Sequence, residues 1–355
     1  MKKAERLIQR AIGRGDFPAA TLLAARDGQP HYHGSFGRAQ LASVYDLASL
    51  TKVLATTAVL MRLVDEKKLG VAERVETHLP SLKRRKIGKI RLSQLLTHSS
   101  GLVAWRPFYE ELRELPQNAR RKKLHQRLAD ENLISKPGQD VVYSDLGLLL
   151  LQWVIERRMS APLDHLAQRL VYQPLGLDHT FFRPLWRTTN RKDPTTEMSF
   201  VPTEYCTWRK RRLCGEVHDD NSFSLGGVTG HAGLFSTAHD IHLLCREFYA
   251  AYRGQRSIFS PKTVRRFFDW QQPNCHRALG WDRPSLPNLQ PNAGRYFSEN
   301  TVGHLGFTGT SLWVDLDKGI WVIFLANRVY RGREPNPMPK FRPQLHNAVM
   351  RSLLG

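Results

Sequence analysis

The sequence predicts an α/β fold in which an antiparallel sheet is flanked by N- and C-terminal helices and carries a mostly helical insertion. Three observations predict it. β-rich apolar runs stand near both ends of the chain, amphipathic stretches open and close it, and the middle combines helical periodicity with many turn residues. At 355 residues the chain can bury a large core. The expected organisation is one unit over 1–355, with 1–70 and 217–355 forming the sheet part and 71–216 the insertion.

Leu7, Ile8, Ala11 and Ile12 recur at helical spacing, so the chain opens with an amphipathic helix ending at Gly13 or Gly15. Strands over 21–25 and 31–36 flank Asp27-Gly28, a dipeptide suited to a tight hairpin turn. From Ser49 onward Val53, Leu54, Ala58, Met61 and Val64 mark a buried helix that stops near Gly70. Pro80, Pro116, Pro137-Gly138, Pro174 and Pro184 punctuate the helix-rich middle. Runs at 311–315 and 320–326 read as strands joined at Asp317-Lys318-Gly319, and 341–354 reads as a helix. No internal repeat or low-complexity tract is present.

Composition narrows the function classes. No apolar run reaches the roughly 20 residues of a membrane span, and 146–155, interrupted by Gln152, reads as a buried helix. The N-terminus lacks an uninterrupted signal core, and Cys206, Cys214, Cys245 and Cys275 form no disulfide pattern. A reducing cytoplasm is expected, with export left open. The net charge of +21 is concentrated at Lys83-Arg84-Arg85-Lys86, Arg120-Arg121-Lys122-Lys123 and Arg209-Lys210-Arg211-Arg212. Polyanion contact follows physically, but no nucleic-acid-binding motif accompanies the charge, and a solvated basic surface is the plainer reading.

Three segments carry chemistry. Ser49-Leu50-Thr51-Lys52 puts a hydroxyl and an amine three residues apart, on one face of a helix start. A serine needs a neighbouring base, and the helix dipole together with burial is expected to disfavour the ammonium of Lys52. Tyr143-Ser144-Asp145 precedes the apolar helix at Leu146; the phenol can exchange protons with the serine and the departing group, and Asp145 is expected as the helix N-cap. Gly303-His304-Leu305-Gly306-Phe307-Thr308-Gly309 is read as a glycine-rich segment just ahead of a strand, with small residues that let backbone approach a substrate and His304 as a donor or partial positive charge. His218, Asp219, His231, His239 and His242 share a region but match no zinc pattern, so neither metal nor cofactor is called for. His31 and His33 alternate on a strand and are expected at the surface.

Together these segments resemble the penicillin-recognising serine hydrolases, in the branch of class C β-lactamases, D,D-carboxypeptidases and related esterases. Asp46-Leu47-Ala48 and the run Arg91-Leu92-Ser93-Gln94-Leu95-Leu96-Thr97-His98-Ser99-Ser100-Gly101-Leu102 strengthen the likeness, which spans nearly the whole chain. The resemblance implies a β-lactamase/transpeptidase-like fold, Ser49 as nucleophile, and Lys52 and Tyr143 as proton-handling groups whose roles stay unseparated. It also implies His304 and Gly306 as the third motif and the amides of Ser49 and Phe307 as an oxyanion hole. His304 stands where β-lactamases usually have lysine, and Asp145 where they often have asparagine, so efficient β-lactam hydrolysis is not expected. The stretch from Gly215 to Thr237 is similar to a subgroup acting on cell-wall peptides, in which His218 and Asp219 contact substrate or merely stabilise a loop. The expected activity is acyl transfer to water from a peptidoglycan-derived amide, either a D-alanyl peptide or a muropeptide. The rivals are a carboxylic esterase or weak β-lactamase, and a polyanion-binding protein with little catalysis.

Overall fold

The computed structural model describes residues 1–185, 195, 197–269, 277–284 and 292–355. Its main sheet is antiparallel and joins the two ends of the chain. β1 (Ala19–Arg26) and β2 (Gln29–Gly37) form the N-terminal hairpin, and β8 (Thr301–Leu305), β9 (Ser311–Asp315) and β10 (Ile320–Ala326) form the C-terminal meander. The order β2-β1-β10-β9-β8 places the first strand against the last. The hairpin turns at Asp27 and Gly28, with φ of 50° and 85°, the left-handed geometry this dipeptide tolerates. Between the two halves lie β3 (Tyr45–Asp46), β4 (Phe181–Phe182), the hairpin of β5 (Tyr205–Cys206) and β6 (Arg211–Arg212), and β7 (Leu234–Ser236). β7 pairs with β3 and β4 in a small second sheet.

The strands β1 and β10 are apolar on both faces because both faces are covered. Leu22, Ala24, Val322 and Phe324 meet Ala4, Ile8, Phe341, Leu345 and Val349 from the terminal helices Lys2–Arg14 and Met338–Leu354. The alternate residues, Leu23, Ala25, Trp321, Ile323 and Leu325, face the larger core, where helix Ala238–Tyr252 packs against both strands. Helix Asp145–Met159 crosses that core, and its buried Gln152 is hydrogen-bonded to Glu156, 2.8 Å away, and to the amide of Gly230 at 2.9 Å. Among the described residues no helix is long and apolar enough to cross a membrane.

Two expectations are corrected. The single helix expected from Ser49 to Gly70 is a 3₁₀ turn (Ala48–Leu50), a π-helical segment (Lys52–Thr57) and an α-helix (Ala58–Asp65). Its side chains bond outward instead of running undisturbed: Thr51 accepts from the amide of Leu234 at 3.1 Å and Thr56 donates to the Gly230 carbonyl at 2.7 Å. The segment read as lying ahead of a strand is partly the strand β8 itself. Gly303 and His304 pair with Trp313 and Leu312, an arrangement hidden by the glycine and the imidazole in its sequence. Cys206, Cys214 and Cys245 are free thiols, whereas Cys275 lies outside the described residues.

The basic runs are partly absorbed by the fold. Arg209 is buried between Asp220 at 2.8 Å and Glu216 at 3.3 Å. Arg121 pairs with Glu156 at 2.9 Å, Lys123 with Glu111 at 2.8 Å and Arg211 with Glu216 at 2.5 Å.

Candidate active site

Ser49 sits on a turn that the backbone forces outward. Ala48 adopts φ of 47°, and the buried carboxylate of Asp46 holds that turn by accepting the amide of Ala48 at 2.8 Å. The other carboxylate oxygen accepts the amide of His218 at 2.6 Å, and the Asp46 carbonyl accepts the Thr308 hydroxyl at 2.9 Å. One residue thus ties the serine turn to two distant loops.

Lys52 is buried, and its ammonium has three close partners: it donates to Ser49 Oγ at 2.9 Å and to the His231 carbonyl at 3.1 Å, and pairs with Asp145 Oδ1 2.8 Å away. Burial alone disfavours this charge, but Asp145 and Tyr143 outweigh it, and the lysine pKa is raised above its ordinary value. Burial acts as the sequence reading expected, against the ammonium, but the Asp145 carboxylate facing it acts in the opposite direction. Asp145 is free to do so because Ser144, not Asp145, caps the helix: its hydroxyl accepts the amide of Gly147 at 3.2 Å and donates to the Val103 carbonyl at 2.7 Å.

Tyr143 closes the group, its ring centroid 4.9 Å from Lys52 Nζ and its phenol within reach of the same ammonium. His98 packs on that ring at 4.5 Å and accepts the amide of Ser144 at 3.0 Å. His304 flanks the ring at 5.9 Å, and Arg277 stands 5.3 Å from its centroid. Burial, with Lys52 and Arg277 nearby, pushes the pKa of both imidazoles well down. Of the two roles read for His304, a donor or a partial positive charge, these surroundings disfavour the charge. With Nδ1 bonded to the Leu305 carbonyl at 2.9 Å, its Nε2 is left as an acceptor.

Ser49 opens onto two cavities. One, about 320 Å³, is lined by Tyr143, His304, Gly306, Phe307, Arg328 and Arg342. Gly306 is required there, since a Cβ would collide with Thr310 Oγ1 and the Leu47 carbonyl. Arg342, from the C-terminal helix, donates to the carbonyls of Gly306 at 2.6 Å and Thr310 at 2.8 Å, and Arg328 donates to that of Phe307 at 2.9 Å. Burial and Arg328 lower the Arg342 pKa to about 9. The other cavity, about 350 Å³, is lined by Trp105, Asp145, His218, Asp219, His231 and Arg333 among others.

His218 and Asp219 line this second cavity but are also tied to the protein. The His218 ring stacks on Phe307 at 5.6 Å and its Nε2 lies 3.3 Å from Glu204. Asp219 caps helix Asp220–Ser224 through the amide of Ser222 at 2.7 Å and pairs with His231 Nε2 at 3.0 Å. Sequence reasoning gave no role to Asp46, His98, Glu204, Arg277 or Arg342. His98 and Asp46 stand inside runs quoted for the family likeness, the one signal that pointed towards them; the others arrive through long-range packing.

The family model described as Beta-lactamase matches residues 4–345. The N-acetylmuramyl-L-alanine amidase of Bacillus subtilis (strain 168) is 32% identical over 358 residues, 92% of this chain and 81% of that protein. A putative D-alanyl-D-alanine carboxypeptidase of Escherichia coli (strain K12) is 29% identical over 366 residues, 92% of this chain and 82% of that protein. The octameric penicillin-binding protein homologue of Pyrococcus abyssi shares the fold, with a TM-score of 0.75 at 18% identity over 99% of this chain and 77% of that one.

Proposed function

The chain belongs to the β-lactamase family of serine hydrolases, and from that premise we propose that it opens a peptidoglycan-derived amide through an acyl-enzyme on Ser49. The carrying observation is the hydrogen bond of 2.9 Å between Lys52 Nζ and Ser49 Oγ, made by an ammonium that also donates to the His231 carbonyl and is paired with Asp145. A lysine held in this way cannot accept the serine proton, which favours Tyr143 as the general base and Lys52 as the fixed charge that supports its phenolate. Ser49 attacks the carbonyl, the amides of Ser49 and Phe307 receive the oxyanion, and Tyr143 returns the proton to the leaving nitrogen. Water then cleaves the ester.

The substrate reading rests on the amidase and carboxypeptidase names of the relatives and on the basic wall at Arg328 and Arg342, which suits a carboxylate-bearing peptide. The free thiols fit a reducing compartment such as the cytoplasm. Mass spectrometry of purified muropeptides and D-alanyl peptides incubated with wild type and Ser49→Ala tests the proposal. The expected result is loss of a lactyl-linked peptide or a terminal D-alanine with wild type alone; equal turnover by both proteins overturns it. A carboxylic esterase is the second reading, favoured by the uncharged imidazole of His304. Turnover of simple esters with intact muropeptides would select it.

A further inference from the structure

His231 reaches the active site twice, with its backbone and with its ring. The backbone carbonyl accepts Lys52 Nζ at 3.1 Å, beside the same ammonium's contact of 2.9 Å with Ser49 Oγ. The ring is paired separately: Nε2 lies 3.0 Å from Asp219 Oδ1, and the Ser222 amide fixes that carboxylate at 2.7 Å. In the neutral imidazole this contact leaves the proton on Nε2 and the lone pair on Nδ1. Nδ1 is buried and has no hydrogen-bond partner among the described residues. An unmet polar atom of this kind is costly unless something in the cavity meets it, and His231 lines the cavity that also holds Ser49.

Ser49, Lys52 and Tyr143 account for forming the ester, and beyond the helix cap that Asp219 makes they leave this imidazole and its carboxylate without a part in the chemistry. We propose that the Asp219–His231 pair is the general base that hydrolyses the acyl-enzyme, an inference that rests on the acyl-enzyme reading above. His231 Nδ1 takes a proton from water as the water oxygen bonds to the ester carbonyl carbon. Collapse of the tetrahedral adduct breaks the bond to Ser49 Oγ and releases the carboxylic acid, and the proton held on Nδ1 returns to the serine oxygen through the cavity. Asp219 orients the ring and stabilises the imidazolium.

The split between backbone and ring makes the proposal testable, because His231→Asn retains the carbonyl that holds Lys52. With p-nitrophenyl acetate, stopped-flow kinetics of wild type, His231→Asn and Asp219→Asn separate acylation from deacylation. The expected result is an unchanged p-nitrophenol burst followed by a steady state slower by about 10²-fold or more. Mass spectrometry should show acetyl-enzyme accumulating, and hydroxylamine, which needs less help from a base, should restore turnover. An unaltered steady state, or burst and steady state falling together in variants that still melt cooperatively, overturns the proposal. Should His231→Asn not fold, Asp219→Asn decides by the same two readouts, and should neither fold, failure of hydroxylamine to speed wild-type turnover when deacylation limits it counts against a base-dependent step. A wild type with no burst and no labelled Ser49 would instead overturn the acyl-enzyme reading itself.

Discussion

On the β8 side of Ser49 the cavity wall carries Arg328 and Arg342, and Arg342 makes no ion pair among the described residues: its recorded partners are the carbonyls of Gly306 and Thr310. On the opposite side every charge has a mate. Asp145 faces Lys52, Asp219 faces His231, Asp220 faces Arg209 and Arg333, and Glu204 faces Arg333 and His218. A buried charge without a counter-ion is costly unless a ligand supplies one, whereas a closed network holds geometry and moves protons. The two sides thus divide into a surface that recognises and a surface that reacts.

Breaking the shared centre should have the largest effect. Lys52→Ala removes the donor to Ser49 and leaves Asp145 unmatched; kcat/KM is expected to fall about 10³-fold or more, measured on any substrate the wild type turns over. On the recognising side, Arg342→Met should raise KM for carboxylate-bearing peptides about 10- to 100-fold, the value of one charge-assisted bond, with kcat nearly kept. Amidated versions of the same peptides should not distinguish the two proteins, and equal losses for both would erase the division. On the reacting side, Asp145→Asn removes a group that raises the Lys52 pKa, so the alkaline limb of the pH–rate profile should move to lower pH and the maximal rate drop roughly tenfold.

The smallest effect concerns stability. Despite burial, His218 and Arg333 hold the Glu204 pKa at about 2, below the usual glutamate value of 4.5. A carboxylate held below its unfolded value stabilises fully above that value and loses the contribution as pH falls through the folded one. Glu204→Gln should therefore melt below wild type at neutral pH, and the gap in Tm should close between about pH 4.5 and 2. A gap independent of pH would place the effect in packing alone.

How much of this was legible differs from element to element. The strands Ser311–Asp315 and Ile320–Ala326 and the turn between them follow from β-rich runs and one glycine, since local pattern decides them. Ser49 and Lys52 were legible because helical spacing alone brings them together, and Tyr143 and Asp145 because they stand at a helix entrance. β8 was concealed, since Gly303 and His304 break its apolar pattern while its pairing with β9 compensates. The electrostatics of Lys52 were only half legible, because they depend on a carboxylate 93 positions along the chain. Arg342 and Glu204 carried no local signal; only packing of the last helix and of the β5 hairpin against the site gives them their places.

Asp46 has an implication for engineering. Its side chain and carbonyl clamp the turn before Ser49, the loop at His218 and the loop at Thr308, so these three stretches cannot vary one at a time. A loop transplanted from a relative at either distant position will shift the nucleophile unless it offers the same amide or hydroxyl to that carboxylate and carbonyl. Libraries aimed at new specificity are better placed on the wall at Trp105, which stands outside this clamp.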